Sequence, residues 1–309
     1  MTFSLIVPVY RNEDSIPDLI RTLEEIDDRL AGDLEVVLVV DGSPDRSFEL
    51  LAKALKAARF RSQLLALSRN FGSFAAVTAG LAHAKGDLFG TMAADLQEPP
   101  ELVLEFHRLL VGGDYDVIVG VRTARADALP GRLASAVFWR LYRWLVQREI
   151  PAGGVDVFAC NREFRDHLLA LREQNSTLVG LLFWIGFRRG EVRYERLARS
   201  HGRSAWSFAR RFRYLLDSTF AFSDLPIRVL SFAGLAGVIF SVVLGLIVLG
   251  YAMSGTEVPG YASTMLTVMF FGALNSLGLG IIGEYLWRTF ENTKGRPPYV
   301  VARHERFGQ

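Results

Sequence analysis

The chain has 309 residues, with 35 Lys and Arg against 33 Asp and Glu for a formal charge of +2, and half of its residues are hydrophobic. Its mean hydropathy of +0.22 is high for a soluble enzyme, which offsets a similar apolar fraction with more charge, so a membrane-embedded part is expected. The near-neutral charge excludes a dedicated nucleic-acid binder, and one cysteine, Cys160, with five scattered histidines excludes an intrachain disulfide and a zinc module.

The opening M-T-F-S-L-I-V-P-V-Y lacks the basic stretch and long apolar core of a secretory signal, so the amino-terminal part is expected in the cytoplasm. Residues 1 to about 200 then alternate strand and helix signals. Short apolar, β-branched runs stand at F-S-L-I-V-P-V, L-E-V-V-L-V-V, S-Q-L-L-A-L, L-F-G-T-M and D-V-I-V-G-V, separated by helical periods over 15–30, 46–59, 73–84 and 99–111. The pattern predicts an α/β domain, a Rossmann-like, mostly parallel sheet covered by helices on both faces. Ligands of such sheets bind at the carboxyl ends of the strands.

Each of those ends carries a polar cluster: P-V-Y-R-N-E (Pro8 to Glu13), D-G-S-P-D (Asp41 to Asp45), S-R-N-F-G (Ser68 to Gly72), A-A-D-L-Q-E-P-P (Ala93 to Pro100) and V-R-T-A-R (Val121 to Arg125). Asp41 after the second strand could suggest a ribose contact, but the first turn has no G-x-G-x-x-G, which argues against a dehydrogenase. The absence of G-x-x-x-x-G-K-[ST] likewise excludes a P-loop NTPase.

Beyond the catalytic part, 201–225 reads as an amphipathic juxtamembrane segment. Over 204–220 it interleaves Trp206, Phe208, Phe212 and Leu215 with Arg210, Arg211 and Arg213, which suits a helix lying on an anionic membrane surface. Region 226–288 contains two stretches long enough to cross a bilayer, about 227–253 and 264–287. Arg228 before them and Arg288, Lys294 and Arg296 after them place both ends in the cytoplasm by the positive-inside rule. Gly237, Ser241 and Gly245 form a small-residue stripe for close helix approach. Asn275 is expected to make a helix-to-helix hydrogen bond, and 289–309 reads as a basic cytoplasmic tail. The N-S-T sequon at Asn175 lies on the cytoplasmic side in this reading.

Taken with the tail G-E-Y-L-W-R-T-F-E-N-T-K-G-R-P-P-Y, these runs resemble the polyprenyl-phosphate glycosyltransferases. These are family 2 enzymes of the GT-A fold that include dolichol-phosphate mannose synthases and bactoprenol glucosyltransferases. The resemblance covers nearly the whole chain, hairpin included. It implies inverting transfer of a single sugar from a nucleotide diphosphate sugar, by expectation a UDP-sugar, to an undecaprenyl-type phosphate. The implied place is the cytoplasmic face of a bacterial inner membrane, in cell-envelope or lipopolysaccharide modification. The implied partners are the nucleotide sugar, polyprenyl phosphate and the bilayer. The basic tail and the amphipathic segment could serve contacts in a homo-oligomer.

The resemblance also implies site residues. Asp95 and Gln97 match the D-x-D-x-Q pattern that holds Mg²⁺ or Mn²⁺, oxygen ligands suiting either ion; an acid ahead of Pro99 could instead cap a helix. Pro8, Tyr10, Glu13 and Asp41 match positions that hold the nucleoside, and turn roles are the alternative for each. Arg69 could serve the donor diphosphate or anchor its loop. Asp156 corresponds to an acid beside the reacting phosphate, or caps the glycine-rich turn P-A-G-G. Arg122, Arg125 and Arg132 could bind the acceptor phosphate bidentately, with Arg122 foremost. Asp95, Asp156 and Arg122 are thus the expected catalytic group. Two departures matter: Ala93 replaces the pattern's first acid, which should weaken the metal site, and Ala205 replaces a cation near the lipid phosphate that Arg203 is expected to supply. They leave a catalytically degenerate nucleotide-sugar-binding homologue as one alternative. A processive polysaccharide synthase is another, but the chain lacks its Q-x-x-R-W motif and the helices for a pore.

Overall fold

The computed structural model describes residues 1–122, 140, 149–151, 154–171, 173, 176–197, 208–254 and 260–308, with backbone only at 208–214, 252, 261–263 and 266. Through the first 122 residues, strands and helices alternate where the periodicities place them. They are β1 (Phe3–Val9), α1 (Ile16–Arg29), β2 (Leu34–Val40), α2 (Ser47–Leu55), β3 (Arg61–Leu67), α3 (Ser73–His83), β4 (Leu88–Thr91), α4 (Pro100–Val111) and β5 (Val117–Arg122). Beyond them lie β6 (Val155–Asn161), α5 (Arg162–Ala170), α6 (Leu178–Trp184), β7 (Arg189–Tyr194), α7 (Phe208–Phe222), α8 (Leu225–Met253), α9 (Tyr261–Thr293) and β8 (Val301–Phe307).

All seven residues of β2 are buried, as a strand covered on both faces requires. Alternation then divides the core. Val36, Leu38 and Val40 join Leu5, Val7 and the α1 stripe Ile16, Leu19, Leu23 and Ile26 on one face. Val37 and Val39 join Ile6, Ala76, Val77 and Leu81 on the other. Pro100 opens α4, its missing N–H being one that a first turn leaves unbonded. Asn161 caps α5 by accepting from the Phe164 N–H at 2.9 Å.

The sheet order is β7-β5-β6-β4-β1-β2-β3-β8. β4, β1, β2 and β3 are mutually parallel, β5 and β7 are parallel, and β6 and β8 run antiparallel to their neighbours. Asp156 is the second residue of β6, so the alternative reading of it as a cap of the glycine turn falls. Within the stretch read as a basic tail, α9 runs on to Thr293, and β8 then pairs antiparallel with β3, closing that edge of the sheet.

The spans Leu225–Tyr251 and Thr267–Thr293 are long and apolar enough to cross a membrane, with mean hydropathies of 2.7 and 1.3. They touch where Phe271 lies over Gly237 and Leu230 over Gly278. Gly245 faces open space, so the stripe works at one end only. Asn275 is exposed on α9, and among the described residues it makes no helix-to-helix bond. The juxtamembrane helix also differs from its reading. Leu215, Ser218 and Thr219 are buried, and Phe222 lies so close over Gly180 that a Cβ there would sit 2.3 Å from the ring. One face of α7 is thus a protein contact with α6. Trp206 and the neighbouring arginine side chains lie outside what is described.

Candidate active site

Parallel strands bring the ends of β1, β2 and β3 to one edge, where short polar side chains bind one loop to the next. The Arg11 N–H donates to Ser43 Oγ at 2.8 Å, with Arg11 at φ 57°. Ser43 donates to Asp45 at 2.6 Å, and Asp45 also accepts from the Glu13 and Ser47 amides. These bonds hold the Asp45 carboxyl below its ordinary range, since they outweigh its burial. Glu13 accepts from the Arg46 N–H at 3.1 Å. Asp41 is buried, and its two oxygens accept from the amides of Phe71 and Gly72 at 2.7 and 2.8 Å. Gly42 carries φ 55°, and a Cβ there would lie 2.2 Å from the Arg69 carbonyl carbon, so only glycine lets the loops meet this closely.

Among the expected donor residues, Asp41 and Glu13 therefore hold loops in place. Arg69 stacks on the Phe71 ring at 4.0 Å and donates to the Asn70 carbonyl. Tyr10 is exposed at the rim, and Pro8, next to last in β1, pairs in register with Val39.

The β4–α4 loop carries the second half of the site. Leu96, between Asp95 and Gln97, is held at φ 54°, a left-handed conformation that costs an L-residue roughly 1–2 kcal/mol. Ser15 fixes the loop by donating to the Ala94 carbonyl at 3.1 Å. Gln97 is buried and exchanges bonds with Leu197, its side-chain amide donating at 3.2 Å and its carbonyl accepting at 2.9 Å. Glu98, one residue on, is only 2% exposed. It accepts from the Ala93 N–H at 3.1 Å. Burial, reinforced by the charges of Asp95 and Asp156, pushes its carboxyl up to about 7.

β6 runs antiparallel to β5, so its first residues meet the last residues of β5, Val121 pairing with Val155. This brings Arg122 and Asp156 into a bidentate ion pair, and Tyr194 at the end of β7 donates to Asp156 at 3.4 Å. Burial opposes the Arg122 charge, yet Asp156 raises its hold on the proton. Arg196 also acts electrostatically on Glu98 and Tyr194.

Asp95, Gln97, Arg122 and Asp156 are thus gathered at one edge beside the β1–β3 loops. Arg125, Arg132, Arg203, Ala205 and Asn175 lie outside the described residues. Sequence reasoning missed Glu98, Tyr194 and Arg196. Glu98 stands inside the quoted A-A-D-L-Q-E-P-P, where an acid ahead of two prolines reads as a helix-start residue. Tyr194 ends R-G-E-V-R-Y, whose period of two is visible beneath its charges.

Residues 4–170 match the family described as glycosyl transferase family 2. The chain belongs to that family. The transferase is similar along its length to curated proteins. It is 31% identical to an uncharacterized glycosyltransferase of Synechocystis, over 97% of this chain and 94% of the other. It is 30% identical to the bactoprenol glucosyl transferase of Shigella phage SfII, over 99% of each. It is 35% identical to the undecaprenyl-phosphate 4-deoxy-4-formamido-L-arabinose transferase of Pseudomonas aeruginosa, over 97% and 89%. The mixed α/β sheet agrees with the GT-A type that the resemblance implies.

Proposed function

We propose that this transferase moves one sugar from a nucleotide diphosphate sugar, a UDP-sugar in the first instance, to the phosphate of a membrane-held polyprenol. Transfer inverts the anomeric carbon and takes place at the cytoplasmic face. The observation that carries the reading is the attachment of the site to the hairpin. α7 packs on α6 through Phe222 and is bound to α9 through Arg288 and Asp217. Relatives named for bactoprenol and undecaprenyl phosphate share this whole length, hairpin included.

The chemistry of the edge suits that substrate pair. A phosphate acceptor is already an anion at neutral pH and needs no strong base, so stabilising the leaving diphosphate is the main task. Arg122 and Arg196 supply positive charge there, and Asp156 orients Arg122. Among the described residues no three His, Cys, Asp or Glu side chains are grouped to hold a cation on their own. Mg²⁺ and Mn²⁺ nevertheless bind through one or two carboxylates plus substrate phosphates, and the donor set fits that arrangement. Asp95 offers a carboxylate, and Gln97, whose NH₂ donates to Leu197, keeps its amide oxygen available. A cation held by Asp95 and Gln97 would neutralise charge developing on the diphosphate.

The test is incubation of the purified protein with labelled nucleotide sugars and polyprenyl phosphate. A chloroform-soluble monosaccharide product is expected with one of them. Long insoluble polymer would show a synthase instead, and no transfer from any donor would overturn the reading.

A further inference from the structure

At the opposite end of the strands, about 20 Å along the sheet at 3.3 Å per residue, the docking of β8 creates a second cavity. It measures about 190 Å³ and is lined by Arg61, Lys85 and Arg306 together with Glu35, Gln63 and Gly308. A water needs roughly 10–15 Å³ on this measure, so a hydrated oxyanion has room. The wall supplied by β8 is tightly specified: Gly308 carries φ 68°, and a Cβ there would lie 2.9 Å from the Phe60 carbonyl oxygen.

The charges around this cavity are unbalanced. Among the described residues, none of Arg61, Lys85 and Arg306 lies in an ion pair. Arg61 donates to Thr2 Oγ1 at 3.4 Å and acts electrostatically on Asp27 without pairing with it. Glu35, the acid of the lining, is already committed: one oxygen accepts from Gln63 at 2.8 Å, the other from Ser4 at 2.5 Å and from the Lys85 N–H at 2.7 Å. The same positive field is felt by His304 on β8, which burial and then His83, Arg306 and Lys85 hold below the usual histidine range. Bringing β8 onto β3 thus adds a third cation to a lining in which Glu35 is the one acid among the described residues. Like charges so placed repel, and a cleft with an excess of positive charge concentrates counter-ions.

We propose that this cavity binds a phosphate-bearing anion, held by Arg61, Lys85 and Arg306, and that the bound anion fastens β8 to the catalytic sheet. Guanidinium forks match phosphate oxygens in pairs, and the lysine adds a point charge. The site lies apart from the Asp95 and Arg122 edge and takes no part in sugar transfer.

The experiment uses the full-length protein in neutral detergent at constant ionic strength. Inorganic phosphate is titrated by calorimetry, and hydrogen exchange of the 301–307 amides is followed by mass spectrometry. Saturable binding with slowed exchange in β8 is expected. The double variant Lys85→Gln/Arg306→Gln should bind at least about tenfold more weakly, two charge-assisted bonds being lost, while sugar transfer is retained. A parallel arm replaces phosphate with phosphatidylglycerol vesicles, phosphatidylcholine serving as control. Protection of β8 by phosphate identifies a free anion, and protection by the anionic vesicles alone identifies a lipid headgroup. Protection by neither, or binding unchanged in the double variant, overturns the proposal.

Discussion

Arg288 on α9 and Asp217 on α7, separated by 71 residues, meet with their charged groups 2.8 Å apart. Arg288 also binds Glu284, one turn back on α9, at 2.9 Å, and is only 9% exposed. Next to it Tyr285 donates to the Ser223 carbonyl at 3.0 Å. A residue read from sequence as a flanking charge is therefore the joint between the hairpin and the helix that leads to the catalytic sheet.

Removing that joint should loosen the two parts. Arg288→Ala is expected to lower thermal stability in detergent by about 1–2 kcal/mol, the half-exposed Asp217 limiting the loss. The charge exchange Arg288→Asp/Asp217→Arg should recover part of it. A melting temperature unmoved by Arg288→Ala would show that Phe222 and Tyr285 carry the joint alone.

Arg122 is expected to act on reacting phosphate oxygens. Arg122→Gln should reduce kcat by roughly 10²–10³, the loss typical of one preorganised donor at a developing charge, with the circular dichroism spectrum unchanged. Arg122→Lys should rescue only part, because it cannot keep the bidentate hold on Asp156. Activity within a few-fold of wild type in Arg122→Gln would restrict this residue to holding β5 and β6 together.

The metal reading rests on Asp95. Asp95→Asn is expected to abolish transfer, and Ala93→Asp to tighten Mn²⁺ binding measured by calorimetry in the presence of nucleoside diphosphate, since affinity rises with ligand charge. Unchanged Mn²⁺ affinity in Ala93→Asp would mean that the loop is not built around a cation.

Asp116 predicts an acid limb. It accepts from the Arg188 guanidinium at 2.8 and 3.0 Å, from the Arg188 N–H at 3.1 Å and from Asn161 at 3.0 Å. Chiefly through the Arg188 side chain, these bonds hold its carboxyl below the ordinary 3.8. The folded protein releases this proton more readily than the unfolded chain. The contribution is therefore complete above about pH 4 and is lost as pH falls through the depressed value. Denaturation curves of Asp116→Asn should converge on wild type at low pH and separate above it; a constant gap at all pH values would contradict the assignment.

What was legible in the sequence follows physical lines. β1 to β5 are largely buried on both faces, so short continuous apolar runs betray them, and the helices between repeat their apolar residues every three or four positions. β6 was hidden by the glycines before it. β7 and β8 sit at the margins of the sheet, where R-G-E-V-R-Y and V-A-R-H-E-R-F carry the charges that edge strands tolerate. Asp95, Gln97, Arg122 and Asp156 could be named from motifs. The pairing of Arg122 with Asp156 could not, because it depends on the antiparallel entry of β6. Glu98 was silent for a similar reason: the depth at which the loop buries it is the first influence on its carboxyl, ahead of Asp95 nearby and Asp156 on β6, and no local pattern records that depth.

The closing strand also sets an order of events in synthesis. Gln63 and His304, bonded across β3 and β8, are 241 residues apart. At ~5–20 residues per second, the edge of β3 waits roughly 10–50 s for its partner. During that interval both long apolar helices are made. The nascent sheet therefore presents an open edge, a template for pairing with other chains, until the hairpin is complete and β8 pairs with β3.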